Sequence, residues 1–221
     1  MNLSVRIKTI GDFVEPNEYV ADIGADHGIL ELYLLAKYDN VRIVAIENKR
    51  GPYSILNNSL RAFKNIRLSF SDGFTAVDRK VKTVVIAGMG GLNIKNILDA
   101  YPDRVVKIKK FIIDAHRDIE IARRSIVNYG FKIVKEKIVF EENKFYVINV
   151  YEKSGTKPQY SKDELDFGYK IYEDELWPKY KEFLIDKNNQ TIAKIKDNEK
   201  MQDKVLKLQK INERLQKYGK N

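Results

Sequence analysis

Between Glu18 and Lys153, short runs rich in β-branched residues alternate with segments whose apolar positions recur at three- and four-residue steps. The runs YVADI, RIVAIE, RLSFS, TVVIAG and FIIDA predict strands. The segments ILELYLLAKY, GPYSILNNSLRAFK, LNIKNILDAY and DIEIARRSIVNYG predict helices following most of those strands. In the last of them Ile119, Ala122, Ile126 and Tyr129 share a face, and Gly130 supplies the stop. Strands that read as nearly continuous apolar runs belong to a sheet covered on both faces, the parallel arrangement. Two further runs, FKIVKEKIVF and KFYVINVYEK, flank the short polar connection EENK and predict an antiparallel hairpin. The expected fold class is therefore α/β with a seven-stranded sheet.

The pattern changes at KSGTKPQYSKDEL, where Gly155, Pro158 and Ser161 mark turns and caps. A boundary placed there divides the chain into residues 1–157 and 158–221. Beyond it Leu176, Tyr180, Phe183 and Leu184 form one apolar stripe, and Met201, Val205, Leu208, Ile211 and Leu215 form another. With a bend at Asp197 and Asn198, two narrow stripes can cover each other, which predicts a helical hairpin or short coiled coil.

Composition narrows the chemistry. The 221 residues are 43% hydrophobic without a run of about 18 apolar residues, so no membrane-spanning segment is expected. The opening MNLSVRIKTI lacks the apolar core and cleavage site of a signal peptide, which predicts no secretory processing. The absence of cysteine excludes disulfides, thiolate ligands and cysteine nucleophiles and fits a cytoplasmic protein. Two histidines, His27 and His116, make a histidine-rich metal site a poor expectation. Lysine and arginine total 40 against 31 acids, a net charge of +9 that suits an anionic partner such as nucleic acid. Residues 160–221 hold 14 basic and 12 acidic side chains, leaving 26 and 19 for residues 1–159, so +7 lies in the front part and +2 in the tail.

The first strand and helix are joined by DIGADHG. A strand, a glycine turn, a helix and an acid ending the next strand, here Glu47, describe a nucleotide-type site at the carboxyl edge of a parallel sheet. A dinucleotide site needs backbone amides free to approach a pyrophosphate. Here Asp22 and Asp26 accompany Gly24 and Gly28, and a carboxylate about 4 Å from a phosphate charge would repel it by roughly 4 kcal/mol. S-Adenosyl-L-methionine carries a cationic sulfonium and an ammonium, so the two acids favour that methyl donor over NAD. Capping of the following helix explains Asp26 as well, and packing explains His27. Asp72 and Gly73, in SFSDGF, could accept the adenine amine and leave room for its ring. Gly88, Gly90 and Gly91, in AGMGG, permit close ligand approach at the same sheet edge, with Met89 either in the core or beside the transferred methyl.

Taken in order, ADIGADHGIL, AIENKRGP, SFSDGF and IAGMGGLNIKNIL resemble the bacterial tRNA (adenine-22) N1-methyltransferases, the TrmK family. The resemblance implies a Rossmann-like class I methyltransferase domain, a C-terminal helical coiled-coil hairpin, S-adenosyl-L-methionine as donor and tRNA as acceptor. It implies that Asp22, Gly24, Asp26, His27 and Gly28 surround the methionine portion and the methyl. Glu47 and Asn48 would then hold the ribose, Asp72 and Gly73 the adenine, and Gly88, Met89, Gly90 and Gly91 the wall between donor and acceptor. Arg6 would lie beside the donor carboxylate. The family's Gln-Pro-Asn after the fifth strand is Asp114, Ala115 and His116 in this chain, so no catalytic role is assigned there. Asp26 is the expected catalytic carboxylate and His27 the expected base. Phosphate contacts are expected from Lys49, Arg50, Arg61, Arg79, Lys80, Lys82, Arg117, Arg123 and Arg124. Competing readings are a methyltransferase of the same fold acting on another RNA or on protein, and a donor-binding RNA scaffold without activity. No signal for oligomeric state is legible.

Overall fold

Ser4 opens helix α1 (Val5–Asp12), its hydroxyl accepting from the Ile7 amide. Another orphan amide at that end is met from far along the chain: Glu141 accepts from the Val5 amide at 2.7 Å and from the Ser4 hydroxyl at 2.6 Å. Those bonds, the Ser4 hydroxyl foremost, hold the Glu141 carboxyl below the usual carboxylate range. The computed structural model describes residues 3–219. Periodicity predicts no helix over Val5–Asp12, because eight residues are too few to display one.

All seven predicted strands form: β1 (Tyr19–Ile23), β2 (Arg42–Glu47), β3 (Ile66–Phe70), β4 (Thr83–Gly90), β5 (Lys110–Arg117), β6 (Phe131–Glu141) and β7 (Lys144–Lys153). They make one sheet in the order β3-β2-β1-β4-β5-β7-β6. The first five are parallel, and β7 runs antiparallel between β5 and β6. The hairpin closes through Glu142 and Asn143, both left-handed, the two-residue turn that matches strand twist.

Helices α2 (Ile29–Lys37), α3 (Arg50–Leu60), α4 (Gly91–Asp99), α5 (Pro102–Val105) and α6 (Ile119–Asn128) complete this part. Ile10, Val14, Leu30 and Leu34 of the α1 and α2 region are buried in one cluster with Val20, Ile43, Val85, Ile112, Ile148 and Val150 of the strands. A second cluster joins Ala25 and Ala45 to Leu56 and Leu60 of α3. Each fully buried aliphatic or aromatic side chain contributes about 1.5–3 kcal/mol, so these clusters dominate the driving force. The strand order reverses between β1 and β4, and the crevice outside their carboxyl ends is where such sheets bind ligands.

Two compact units divide between Gln159 and Tyr160. In the second, Ser161 and Glu164 form a capping box at the start of α7 (Lys162–Phe167). Helix α8 (Trp177–Ile195) is followed by a turn that Asn198 caps and by α9 (Gln202–Lys217), which returns along α8 until the Tyr218 ring lies 5.9 Å from that of Trp177. Val205 and Leu215 of the expected stripe are buried. Met201 is exposed, because it closes the short turn before α9 instead of belonging to the helix face. Asn212 occupies the seam, accepting from Asn188 Nδ2 at 2.7 Å and donating to Asn189 Oδ1 at 2.9 Å. Among the described residues no helix is long and apolar enough to cross a membrane.

Candidate active site

The turn between β1 and α2 turns through left-handed backbone at Gly24 (φ +87°), Asp26 (φ +49°) and Gly28 (φ +81°). Its amides are already engaged. Those of Gly24 and Ala25 donate to the Ile46 carbonyl at 2.8 and 3.0 Å, that of Gly28 to the Ala25 carbonyl at 2.9 Å, and that of Asp26 to Glu47 Oε2 at 3.2 Å. A phosphate cradle needs amides pointing outward, and here those of Gly24, Ala25 and Asp26 are bonded to β2 and that of Gly28 within the turn. Gly28, the residue preceding α2, supplies no side-chain cap, and neither Asp26 nor His27 caps the helix. The capping explanation for Asp26 is thereby corrected: the left-handed turn carries its side chain outward, 64% exposed, where it pairs with His27 Nδ1 at 2.9 Å. With Nδ1–H donating, the Nε2 lone pair of His27 remains available as an acceptor.

Below the turn the carboxyl groups are buried. Asp22 is the last residue but one of β1 at 5% exposure, Glu47 ends β2, and Glu31, which sequence reasoning missed, enters from the first turn of α2 fully buried. Glu47 is satisfied by the Asp26 amide and by the Lys49 amide at 2.7 Å. Burial, chiefly, and then the charge of Glu47 push Asp22 up to about 7, against a favourable hydrogen bond from Glu31. Burial and the charge of Asp22 raise Glu31 as well. Asn48 follows Glu47 on the exposed side.

The next two turns complete the edge. Asp72 is exposed and Gly73 buried in a short 3-10 turn, where a Cβ on Gly73 would sit 3.3 Å from Ile97. Strand β4 is irregular against β5 around Gly88 and Met89, and Gly88 is left-handed (φ +78°). The Met89 thioether methyl lies where a Cβ on Gly24 would fall, so the AGMGG and DIGADHG turns touch directly. Gly91 has a packing reason of its own, since a Cβ there would strike the Asp118 carbonyl at the start of α6. A Cβ on Gly90 would meet only the exposed Arg117 side chain, which can move aside.

Beside them, at the end of β5, Asp114 is fully buried and accepts from Arg6 Nη1 at 2.5 Å. The same Nη1 reaches His116 Nε2 at 3.2 Å, and both Arg6 and His116 lie on the Tyr146 ring, at 5.1 and 5.2 Å. A Cβ on Gly88 would meet His116 at 3.8 Å, which puts this cluster next to the glycine turn. Arg6 thus stands at the same sheet edge with its charge engaged by Asp114. The order Asp-Ala-His gave no sign of this cluster, because Arg6 and Tyr146 lie far away in sequence.

Residues 3–149 match a sequence profile described as Methyltransferase domain. The chain belongs to this family. It is 25% identical over 174 residues to the tRNA (adenine(22)-N(1))-methyltransferase of Bacillus subtilis (strain 168), covering 76% of this chain and 72% of that protein. An uncharacterized protein from Listeria monocytogenes serotype 4b shares the fold with a TM-score of 0.89, 24% identity, and 97% and 98% of the two chains covered. TrmK from M. capricolum, solved in complex with the natural cofactor product S-adenosyl-homocysteine, gives a TM-score of 0.83 at 22% identity over 99% and 98% of the chains. The two structural matches cover both units, whereas the methyltransferase-domain profile lies within the first. Of the basic residues expected to meet phosphate, Arg123 in this methyltransferase domain is corrected: its side chain is 1% exposed and donates from Nε and Nη2 to Glu136 Oε1 at 3.0 and 2.9 Å. Its position on α6 follows the apolar Ala122–Ile126 face inward, where only a paired arginine is tolerated. Among the described residues no cluster of side chains suited to a metal ion is present.

Proposed function

We propose that the chain is a TrmK-type enzyme that transfers a methyl group from S-adenosyl-L-methionine to ring nitrogen 1 of adenine 22 in tRNA. The observation that carries this reading is the β1–α2 turn of a methyltransferase-domain sheet, whose Gly24, Ala25, Asp26 and Gly28 amides are bonded internally and which carries the Asp22 and Asp26 carboxyls. Asp22, buried with Oδ1 unpaired, fits an ammonium group, and Glu47, fixed by two amides, fits a pair of ribose hydroxyls. Gly24, Gly28, Asn48, Asp72, Gly73 and the Gly88–Gly91 turn line the rest of the cradle, with Met89 across it and Arg6 at its margin. The named activity of the Bacillus subtilis relative supports the acceptor.

Bound there, the donor supplies a methyl group on a cationic sulfonium. Adenine nitrogen 1 brings its own lone pair and needs no deprotonation, so the chain's main task is to hold the two reactants in line at about 3–3.5 Å. Positive charge passes to the adenine ring, and the outward Asp26 carboxylate stabilises it. His27, oriented by Asp26, accepts the proton that the exocyclic amine then loses. Surface lysines and arginines of the first unit bind tRNA phosphates, which makes affinity fall with added salt. The base must leave its stack to reach the donor. The substrate sets a cytoplasmic location.

Incubation with labelled donor and unmodified tRNA, followed by nucleoside mapping, tests the reading. One-methyladenosine at position 22 is the expected product. Label in another RNA or in protein, or donor binding without transfer, would sink it.

A further inference from the structure

At the carboxyl end of β5 one hydrogen bond fixes a tautomer. Arg6 Nη1 carries two hydrogens and accepts nothing, and it lies 2.5 Å from Asp114 Oδ2 and 3.2 Å from His116 Nε2. It therefore donates to both. Because His116 Nε2 accepts, the hydrogen-bond network assigns the imidazole proton to Nδ1 and leaves the ring neutral. Tyr146 holds that ring at 5.2 Å and carries the Arg6 guanidinium over its own ring at 5.1 Å. Closing the Asp114–Arg6 pair uses Nε2 alone. The Nδ1–H has no hydrogen-bond partner among the described residues, and the side chain is 39% exposed.

The place of His116 in the sheet gives that donor a use. Strand β4 lies between β1 and β5, so the AGMGG turn has the DIGADHG turn on one side and His116 on the other. Met89 reaches the first neighbour, its methyl filling the space of a Cβ on Gly24. Gly88 faces the second: a Cβ there would meet His116 Cε1, the carbon between the two ring nitrogens, at 3.8 Å. Gly88 is also the residue that β4 sets out of register with β5, left-handed and exposed, a bulge of the kind found beside active sites. Tyr146 reaches the same edge because β7 runs antiparallel to β5.

We propose that His116 is a binding residue for the acceptor: its Nδ1–H donates to ring nitrogen 7 or ring nitrogen 3 of the extruded adenine, across Gly88 from the donor turn. The proposal rests on the methyl-transfer reading above. Ring nitrogen 1 must keep its lone pair for attack, so the hydrogen bond goes to another nitrogen of the base. A neutral donor adds no repulsion as positive charge passes to the adenine, and the Arg6 charge beside it is offset by Asp114.

The test uses the full chain, labelled S-adenosyl-L-methionine, and tRNA carrying adenosine, 7-deazaadenosine or 3-deazaadenosine at position 22. Each analogue keeps ring nitrogen 1 and lacks one candidate partner. One of the two should show a kcat/KM about tenfold below that of adenosine with the unaltered chain. His116→Ala should lower kcat/KM for adenosine about tenfold and lose that discrimination, since the contact is already gone. His116→Gln, whose amide can donate, should recover about threefold. Binding of S-adenosyl-homocysteine should stay within about twofold in both variants. If His116→Ala fails to fold, His116→Phe keeps a ring against Tyr146 without the N–H and takes its place. Equal rates on all three tRNAs would overturn the role of His116 alone, as would a variant that discriminates like the unaltered chain or one that loses S-adenosyl-homocysteine instead. No methylation of adenosine 22 by the unaltered chain would overturn the transfer reading, and the proposal with it.

Discussion

Asp22 and Asp114 are the same residue type in similar places, each buried in the carboxyl-terminal half of a parallel strand in the middle of one sheet. Asp114 faces a guanidinium at 2.5 Å, with His116 closing the pair from outside. Asp22 faces Glu31 and Glu47, so its field is negative and its proton is held. One carboxylate has a cation on its Oδ2, a pair that ties α1 to the sheet, although its Oδ1 is as unpartnered as that of Asp22. The other has no cation against it, which leaves it open to the donor's ammonium under the proposed function. The difference separates structural from functional acid more sharply than residue identity or burial does.

The comparison breaks most visibly if Arg6 is removed. Arg6→Ala leaves Asp114 buried without its cation and should cost about 2–3 kcal/mol in urea unfolding at pH 7, less than a fully buried pair because Arg6 keeps 20% of its side chain in water. Adding Asp114→Ala should restore about 1 kcal/mol of that loss. If Arg6→Ala is nearly neutral, Asp114 is no anchor.

Glu31→Leu should act in the opposite sense, raising stability by about 2 kcal/mol at pH 8 by removing half of the acid pair. The sign follows from the raised carboxyl: the folded chain holds a proton that the unfolded chain has lost. Asp22 therefore contributes fully below about pH 4, and its contribution is lost as pH climbs through about 7. Unfolding curves between pH 5 and 8 should show stability falling with pH in the unaltered chain and still falling, but less, in the variant, where the raised Glu31 is gone and Asp22 stays buried beside Glu47. A variant less stable at pH 8 would contradict the account.

Asp26→Asn sharpens the contrast within a single turn. Its exposed carboxylate should leave stability within about 0.5 kcal/mol, while methyl transfer at saturating donor slows about tenfold. Normal turnover would remove its catalytic role. His116→Ala is the smallest change, about 0.5–1 kcal/mol, since its ring is partly exposed and Arg6 retains Asp114. A loss as large as that of Arg6→Ala would make the histidine, not the guanidinium, the essential partner.

The strands and most helices were legible because their signal is local. YVADI and RIVAIE repeat an apolar period that no long-range contact is needed to create, and GADHG announces a turn by its residue types. Helix α1 escaped notice because it is short and one of its orphan amides is met by Glu141, 136 residues away from Val5. The hairpin of β6 and β7 was readable, but its insertion with β7 against β5 was not, since either order shows the same alternation. Arg123 looked like a surface cation until Glu136, from the next strand, met it in the interior.

The sequence by itself determined which segments become strand or helix and that the first turn would be acidic. It thereby also favoured a cationic ligand over a phosphate. Only the tertiary structure decided what each acid means. Hydrophobic period is written into neighbouring residues, whereas the ionisation of a carboxyl depends on water removed and charges brought within a few ångströms by chain segments far apart in order. Asp22 and Asp114 read alike as letters, and Glu31 and Arg6 tell them apart.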